Sequence, residues 1–153
     1  MDEIKYNTSK EELFLVPLPE KTDTYTPLSH KNLIEIIDEQ LYKNGLSIVS
    51  AQYRQAEKGN KMTTYYNLNR GNSDMNLMLG FSNSYDKSLP VKFAIGSYTF
   101  ICSNGALVGE FTFKRKHTGE VYKDLNNFVE GAIFQVDDMF THMENDFNRL
   151  KET

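Results

Sequence analysis

Residues 43–51, Lys43-Asn44-Gly45-Leu46-Ser47-Ile48-Val49-Ser50-Ala51, decide the fold, because the hydrophobic period changes inside them. Upstream, Leu33, Ile36, Ile37 and Leu41 recur at helical spacing after a start signalled by Pro27 and Ser29. Lys43 gives that helix a basic last turn, and Asn44-Gly45 stops it. Downstream, Leu46, Ile48 and Ser50 alternate with Ser47, Val49 and Ala51 in the two-residue period of a strand that runs on to Tyr53. One helix therefore hands over directly to a sheet.

Working outward, Lys58-Gly59-Asn60-Lys61 marks a turn, and the Thr- and Tyr-rich run Met62 to Leu68 completes a hairpin with the first strand. A polar loop through Arg70 and Asp74 precedes a third strand from Asn76 to Ser82. Strands over Pro90–Cys102 and Ala106–Lys114 follow, joined by Ser103-Asn104-Gly105, where Asn-Gly favours a tight hairpin by tolerating positive φ. From Tyr122 to Leu150 the helical period returns, with Leu125, Val129, Ala132, Val136 and Met139 spaced three and four apart. The expectation is an α+β domain: an N-terminal helix, a twisted antiparallel sheet of about five strands, and a long C-terminal helix packed on one face. Residues 1–28 read as an N-terminal arm, with one anchoring strand at Leu13-Phe14-Leu15-Val16, and residues 29–153 as the single domain. A helix over 122–150 is longer than such a sheet can cover, so its end either joins a second copy in a homo-oligomer or folds back on its own core.

The bulk numbers restrict function. A chain of 153 residues with 25% charged residues suits one soluble domain, and no apolar run approaches the ~20 residues of a membrane-spanning helix. One cysteine forms no internal disulfide, and the start Met1-Asp2-Glu3-Ile4-Lys5 lacks a signal-peptide pattern, which points to a cytoplasmic setting. The net charge of -4 hides a segregation. Residues 54–117 hold nine Lys/Arg against four acids, a net of +5, and the flanks carry the remaining -9. A basic middle between acidic ends is able to build one positive face.

Three polar signatures punctuate the β-rich part: Asn83-Ser84-Tyr85-Asp86-Lys87-Ser88, Cys102-Ser103-Asn104-Gly105 and Arg115-Lys116-His117-Thr118. In that order and spacing they resemble the phage- and plasmid-borne "domain of unknown function 932" family, with its N-S-x-D-x-S turn, C-x-N-G turn and R-K-H-T segment. The resemblance implies a shared role for Asn83, Ser84, Tyr85, Asp86, Ser88, Asn104 and Gly105 without naming one, and it implies a bacterial host cell as the setting. This chain has Tyr85 where many relatives place histidine. The order of helix, meander and helix also looks, by topology alone, like the core of Rad52-type single-strand annealing proteins.

Each polar feature has a plain reading and a functional one. Short polar side chains at Asn83–Ser88 suit a tight turn, and they also present donors and acceptors at a sheet end. Cys102 reads as a small apolar residue. With His117 and Asp86 it would make a nucleophile, base and orienter, so a Cys/His-dependent enzyme is the third-ranked class. The histidines His30, His117 and His142 are dispersed, which gives no metal site, and no phosphate-loop or dinucleotide motif occurs, so no cofactor is expected. Lys114-Arg115-Lys116-His117 is the densest basic run and suits phosphate contacts. With Arg54, and with Tyr65 and Tyr66 as stacking rings, it suggests a single-strand platform. The leading expectation is a phage or mobile-element accessory protein that binds nucleic acid, single-stranded DNA above all. The alternative is an anti-defence module that meets a host protein through acidic helices and the Asn83–Ser88 loop.

Overall fold

The computed structural model describes residues 6–22, 25–71, 76–85, 90–96, 100–101, 107–108 and 111–151. Among the described residues eight strands and three α-helices follow one another as β1 (Tyr6–Thr8), α1 (Lys10–Phe14), α2 (His30–Lys43), β2 (Ile48–Ala56), β3 (Lys61–Gly71), β4 (Asn76–Ser84), β5 (Val91–Gly96), β6 (Phe100–Ile101), β7 (Leu107–Val108), β8 (Phe111–Arg115) and α3 (Val121–Lys151). The main sheet has six strands in the order β1-β2-β3-β4-β5-β8, each described pair antiparallel, and β6 with β7 forms a separate two-stranded ribbon. The α+β class and the two flanking helices stand as expected, with one more strand in the sheet.

The helix boundaries follow their caps. Ser29 is extended, and its hydroxyl accepts from the Asn32 N–H at 2.9 Å, which starts α2. At the other end the Asn44 side-chain amide donates to the Gln40 carbonyl, and Gly45, at φ +71°, turns the chain out of the helix. The expected strand at residues 13–16 is instead the end of α1 and the turn after it. Ser9 caps that helix by accepting from the Glu12 N–H, and Leu13 turns inward to the core. The strand that anchors the N-terminal segment is β1, which pairs Thr8 with Tyr53 on β2. Of the strands expected at 90–102 and 106–114 the described parts pair with each other, β5 with β8 and β6 with β7, while residues 97–99, 102–106 and 109–110, with the Ser103-Asn104-Gly105 turn among them, lie outside the described residues.

Strand alternation assigns the two faces of the sheet. Met62, Tyr66, Leu68, Leu79, Phe81, Val91, Phe93 and Ile95 lie on one face and are buried with Leu33, Ile37 and Leu41 of α2 and Val121, Leu125, Val129 and Val136 of α3. Phe128 packs edge-on against Phe93 and tilted against Phe113, which seats α3 across β5 and β8. Arg70 bonds Asp137 at 2.7 Å and Thr141 at 2.9 Å, clamping β3 to the same helix. Asp38 of α2 accepts from Tyr66 at 2.8 Å and pairs with Lys10 at 2.7 Å, so a partly buried polar chain joins α1, α2 and the sheet. At 31 residues α3 runs for about 46 Å. Among the described residues no helix is long and apolar enough to cross a membrane.

The hairpin from β2 to β3 closes through a tight turn in which Glu57, Lys58 and Gly59 all have positive φ. At Gly59 this conformation (φ +88°) coincides with a close approach, since a Cβ there would lie 2.5 Å from a Val16 methyl. Gly59→Ala should therefore destabilise the fold by about 2 kcal/mol, from backbone strain and overpacking together. Urea denaturation would read this as a lower midpoint at an unchanged slope.

Candidate functional site

Two of the three polar signatures converge at one end of the sheet. Asn83, the next-to-last residue of β4, is fully buried, and its side chain bonds two segments remote from it in sequence. Its amide nitrogen donates to the Leu28 carbonyl at 2.6 Å and to His30 Nδ1 at 3.1 Å, and its amide oxygen accepts from His117 Nε2 at 2.6 Å. His30 Nε2 in turn donates to the Gly59 carbonyl at 2.8 Å, in the turn between β2 and β3. These partners fix both tautomers: His30 carries its proton on Nε2, since only Nδ1 is left to accept from the amide, and His117 carries one on Nε2. A single carboxamide thus ties β4, the entry to α2 and the exit of β8, and through His30 it reaches the β2–β3 turn.

Tyr85 extends the cluster. Its ring stacks on His30 with centroids 3.9 Å apart and planes 9° from parallel, and its hydroxyl accepts from the His30 N–H at 2.7 Å. That N–H is one of the donors left unpaired at the start of any helix, so the tyrosine caps α2 alongside Ser29. The Tyr85 N–H donates to the Asn60 carbonyl at 2.6 Å, while the Thr26 N–H donates to the His117 carbonyl at 2.8 Å. Burial favours the neutral imidazoles. It lowers His30 to about 4, against a smaller upward pull from its bond to Gly59, and it lowers His117 as well. Burial likewise raises the Tyr85 hydroxyl. The cluster is a closed, uncharged network. Because Asn83 occupies His117 Nε2, that nitrogen has no free lone pair with which to act as a base.

On the opposite face of the sheet the register lines up a different set. Asn7 pairs with Arg54, Arg54 with Thr63, Thr63 with Ser82, Ser82 with Lys92, and Lys92 with Lys114, so one row crosses all six strands. Three of these six residues are cations and the other three carry short polar side chains. Arg54 lies 5.8 Å from the Tyr65 ring centroid, a cation–π contact that holds the guanidinium against the sheet. Burial pushes the Tyr65 hydroxyl up to about 12, although Arg54 opposes it. Thr63 and Ser82, at the middle of the row, are buried, and Lys114 at its end is exposed. The ribbon of β6 and β7 contacts β5 without joining the sheet.

The family model for a domain of unknown function, DUF932, matches residues 17–153. The chain belongs to this family. No curated protein and no solved structure matches it.

Within this DUF932 chain the residues singled out from sequence part company. Strand alternation splits the basic run: Lys114 joins the cross-strand row, while Arg115 points to the helix face, where it pairs with Asp124 at 3.2 Å and donates to the Thr118 carbonyl. Lys116 is exposed, and His117 is buried in the Asn83 network. The same alternation separates the two tyrosines. Tyr65 stays beside Arg54, whereas Tyr66 is completely buried, bonded to Asp38 and 3.0 Å from the Tyr53 hydroxyl, and has no face to offer a base. Ser84 is buried at the end of β4. Asp86, Ser88, Cys102, Asn104 and Gly105 lie outside the described residues, so the Cys102, His117 and Asp86 constellation is represented by His117 alone. Among the described residues no group of three or more His, Cys, Asp or Glu is placed to hold a metal ion. Asn7, His30, Thr63, Ser82 and Lys92 are the members of the two clusters that were not given a role from sequence. His30 carried no spacing signal, but the row was within reach once the register Arg54↔Thr63↔Ser82 is written out.

Asn83→Ala should lower stability by about 3 kcal/mol or more, since it strands a buried carbonyl and two imidazole nitrogens; an exposed turn residue would change it by less than about 0.5 kcal/mol. Calorimetric melting separates the two outcomes. For the histidines, the folded value for His30 lies below the unfolded value near 6.5, so the unfolded chain binds more protons between about pH 6.5 and 4. Stability is then fully present above pH 6.5 and lost as pH falls through that window, by on the order of 3 kcal/mol for His30, with His117 adding in the same direction. Urea midpoints measured from pH 7.5 to 4.5 should fall, and fall less in His30→Gln.

Proposed function

We propose that this DUF932 protein binds nucleic acid, single-stranded DNA above all, along the helix-free face of its sheet. The observation that carries this reading is the row Arg54, Thr63, Ser82, Lys92 and Lys114, which gathers cations from three strands distant in sequence onto one line. Neighbouring strands lie about 4.8 Å apart. Lys92 and Lys114, on adjacent strands, therefore lie about 5 Å apart at the backbone and Arg54, three strands from Lys92, about 14 Å from it, distances that long cationic side chains can match to phosphates along an extended single strand. Arg54 would contact a phosphate, and Tyr65 would hold it in place. Lys116, exposed just past β8, extends the same positive end.

Charge placement favours this over the contact surface of acidic helices. Glu35, Asp38, Glu39, Asp124 and Asp137 are engaged by Lys31, Lys10, Lys43, Arg115 and Arg70 respectively, so the acids of α2, and two of those on α3, are paired within the fold. A surface acting as a nucleic-acid mimic toward a basic partner needs that charge unspent. An accessory role on phage or mobile elements, of the single-strand annealing kind, is the setting in which such a face would work. In that setting α3 would supply the contact between copies in an oligomer.

Replacing Arg54, Lys92 and Lys114 together by Gln should weaken binding of a labelled single-stranded oligonucleotide and flatten the slope of log K against log salt by about 2, since each neutralised phosphate of a single strand contributes roughly 0.7. Arg115→Gln, which removes a cation engaged by Asp124, should leave the slope within error. Fluorescence anisotropy across a salt series, with duplex DNA alongside, measures both; equal slopes for the triple variant and the parent would overturn the assignment of the face.

A further inference from the structure

Where the C-terminal end of α2 meets the middle of α3, apolar side chains do not close the contact. An open groove of about 460 Å³ lies between the two helices, lined from α2 by Gln40 and Asn44 and from α3 by Asn127, Gly131, Phe134 and Gln135. Gln40 is only 6% exposed, yet its carboxamide has no hydrogen-bond partner among the described residues; its backbone carbonyl alone is engaged, by Asn44. A polar group withdrawn that far from water without a partner is destabilising and uncommon. Gly131 is a second anomaly, because glycine is a poor residue for a helix interior. A Cβ at this position would meet nothing within 4 Å, so helix packing does not require the glycine, and its missing side chain leaves the groove open. Phe134 is the third, a large apolar ring left 66% exposed beside a polar depression.

The lining defines what fits. Gln40, Asn127 and Gln135 each present a donor and an acceptor in one plane, and Asn44, whose side-chain nitrogen is taken up by the Gln40 carbonyl, leaves its oxygen. The Phe134 ring adds a flat apolar surface. A planar heterocycle with alternating donors and acceptors along its edge is the complement of that set, since bases stack on aromatic rings and meet Asn or Gln through two parallel hydrogen bonds. Charge narrows the choice. Lys43, at the groove's margin, is paired with Glu39 at 3.2 Å, whereas Glu130 has no basic partner among the described residues, so no unpaired cation awaits a phosphate. We propose that the groove between α2 and α3 binds the base of a neutral nucleoside, with Phe134 against the ring and Gln40 at its edge. This goes beyond the strand-binding reading, because the groove lies among the helices and uses no residue of the cationic row.

The test follows the side-chain amide resonances of Gln40, Asn127 and Gln135 by NMR as adenosine, cytidine or thymidine is added, with ribose and adenosine monophosphate alongside. Adenosine leads because a carboxamide meets the amino group and ring nitrogen of adenine together. Saturable shifts with a nucleoside and none with ribose are expected. Gln40→Met, close in shape but without the amide and followed through Asn127 and Gln135, should weaken binding about tenfold, the effect of losing its hydrogen bonds to the base. It should melt at the parent temperature or higher, because it removes an unpartnered buried group. Gly131→Leu puts a side chain into the groove and should abolish the shifts without lowering the melting temperature; should that variant fail to fold, Gln40→Met decides. Shifts that stay linear with all three nucleosides, or that ribose reproduces, would overturn the site. A Gln40→Met protein that melts below the parent, whatever its affinity, shows that the amide serves the fold and overturns it too, as does unchanged affinity in this variant. Tighter binding of the monophosphate than of adenosine overturns the neutral ligand.

Discussion

The carboxamide of Asn83 is the joint on which the rest of the structure depends. Its two donors and its acceptor each reach a segment remote from it in sequence, so β4, the entry to α2 and the segment leaving β8 are registered against one another by a single planar group. Because the site is buried, water is not there to replace a lost partner, and the bonds are all made together or the whole group is left unsatisfied. Neutral imidazoles complete the arrangement: each nitrogen that faces the amide has one role, donor or acceptor, and protonation of His30 Nδ1 would set two donors against each other.

Seen this way, the two family signatures described here have different kinds of consequence. Asn83 and Tyr85 of the first, and His117 of the last, serve the framework: they cap α2, stack on His30 and lock the sheet end. Ser82, one residue before the first signature, and Lys114, one residue before the last, point the other way and belong to the cationic row. Adjacent residues on a strand face opposite sides. The buried network and the row are thus two sides of the same strands, and rigidity established on one face is what holds the spacing of charges on the other.

Sequence reading recovered the elements governed by local rules. The Ser29 cap, the Asn44-Gly45 stop, the Lys58-to-Lys61 turn and the apolar stripe of α3 from Leu125 to Val136 each rest on residues close together in the chain, and each is present. It failed where distant contacts decide. Leu13 to Val16 has strand-like composition, but Ser9 caps a short helix there and Leu13 is captured by the core. Tyr65 and Tyr66 are indistinguishable by composition, yet one pleat separates a core residue from one on the other face. Lys114 to His117 reads as one basic block only until the strand ends and the chain turns His117 inward. The convergence of His30 with Asn83 and His117 could not be read at all, since nothing in their spacing encodes it.

The order of strands has a kinetic corollary. β2 through β5 are joined to their neighbours in sequence and form by successive short hairpin closures, whereas β1 reaches β2 across the whole of α2, and β8 reaches β5 only after the β6–β7 ribbon has been passed. Closing long loops carries more entropy loss than closing short ones, and non-local pairs assemble late. Both margins of the sheet are therefore the last parts to zip and the first to fray, while the central meander retains its amide protons longest. The cationic row spans that gradient from end to end, with Ser82 on the slowest-opening strands and Lys114 on the margin, so the backbone beneath its charges is graded in local stability along its length.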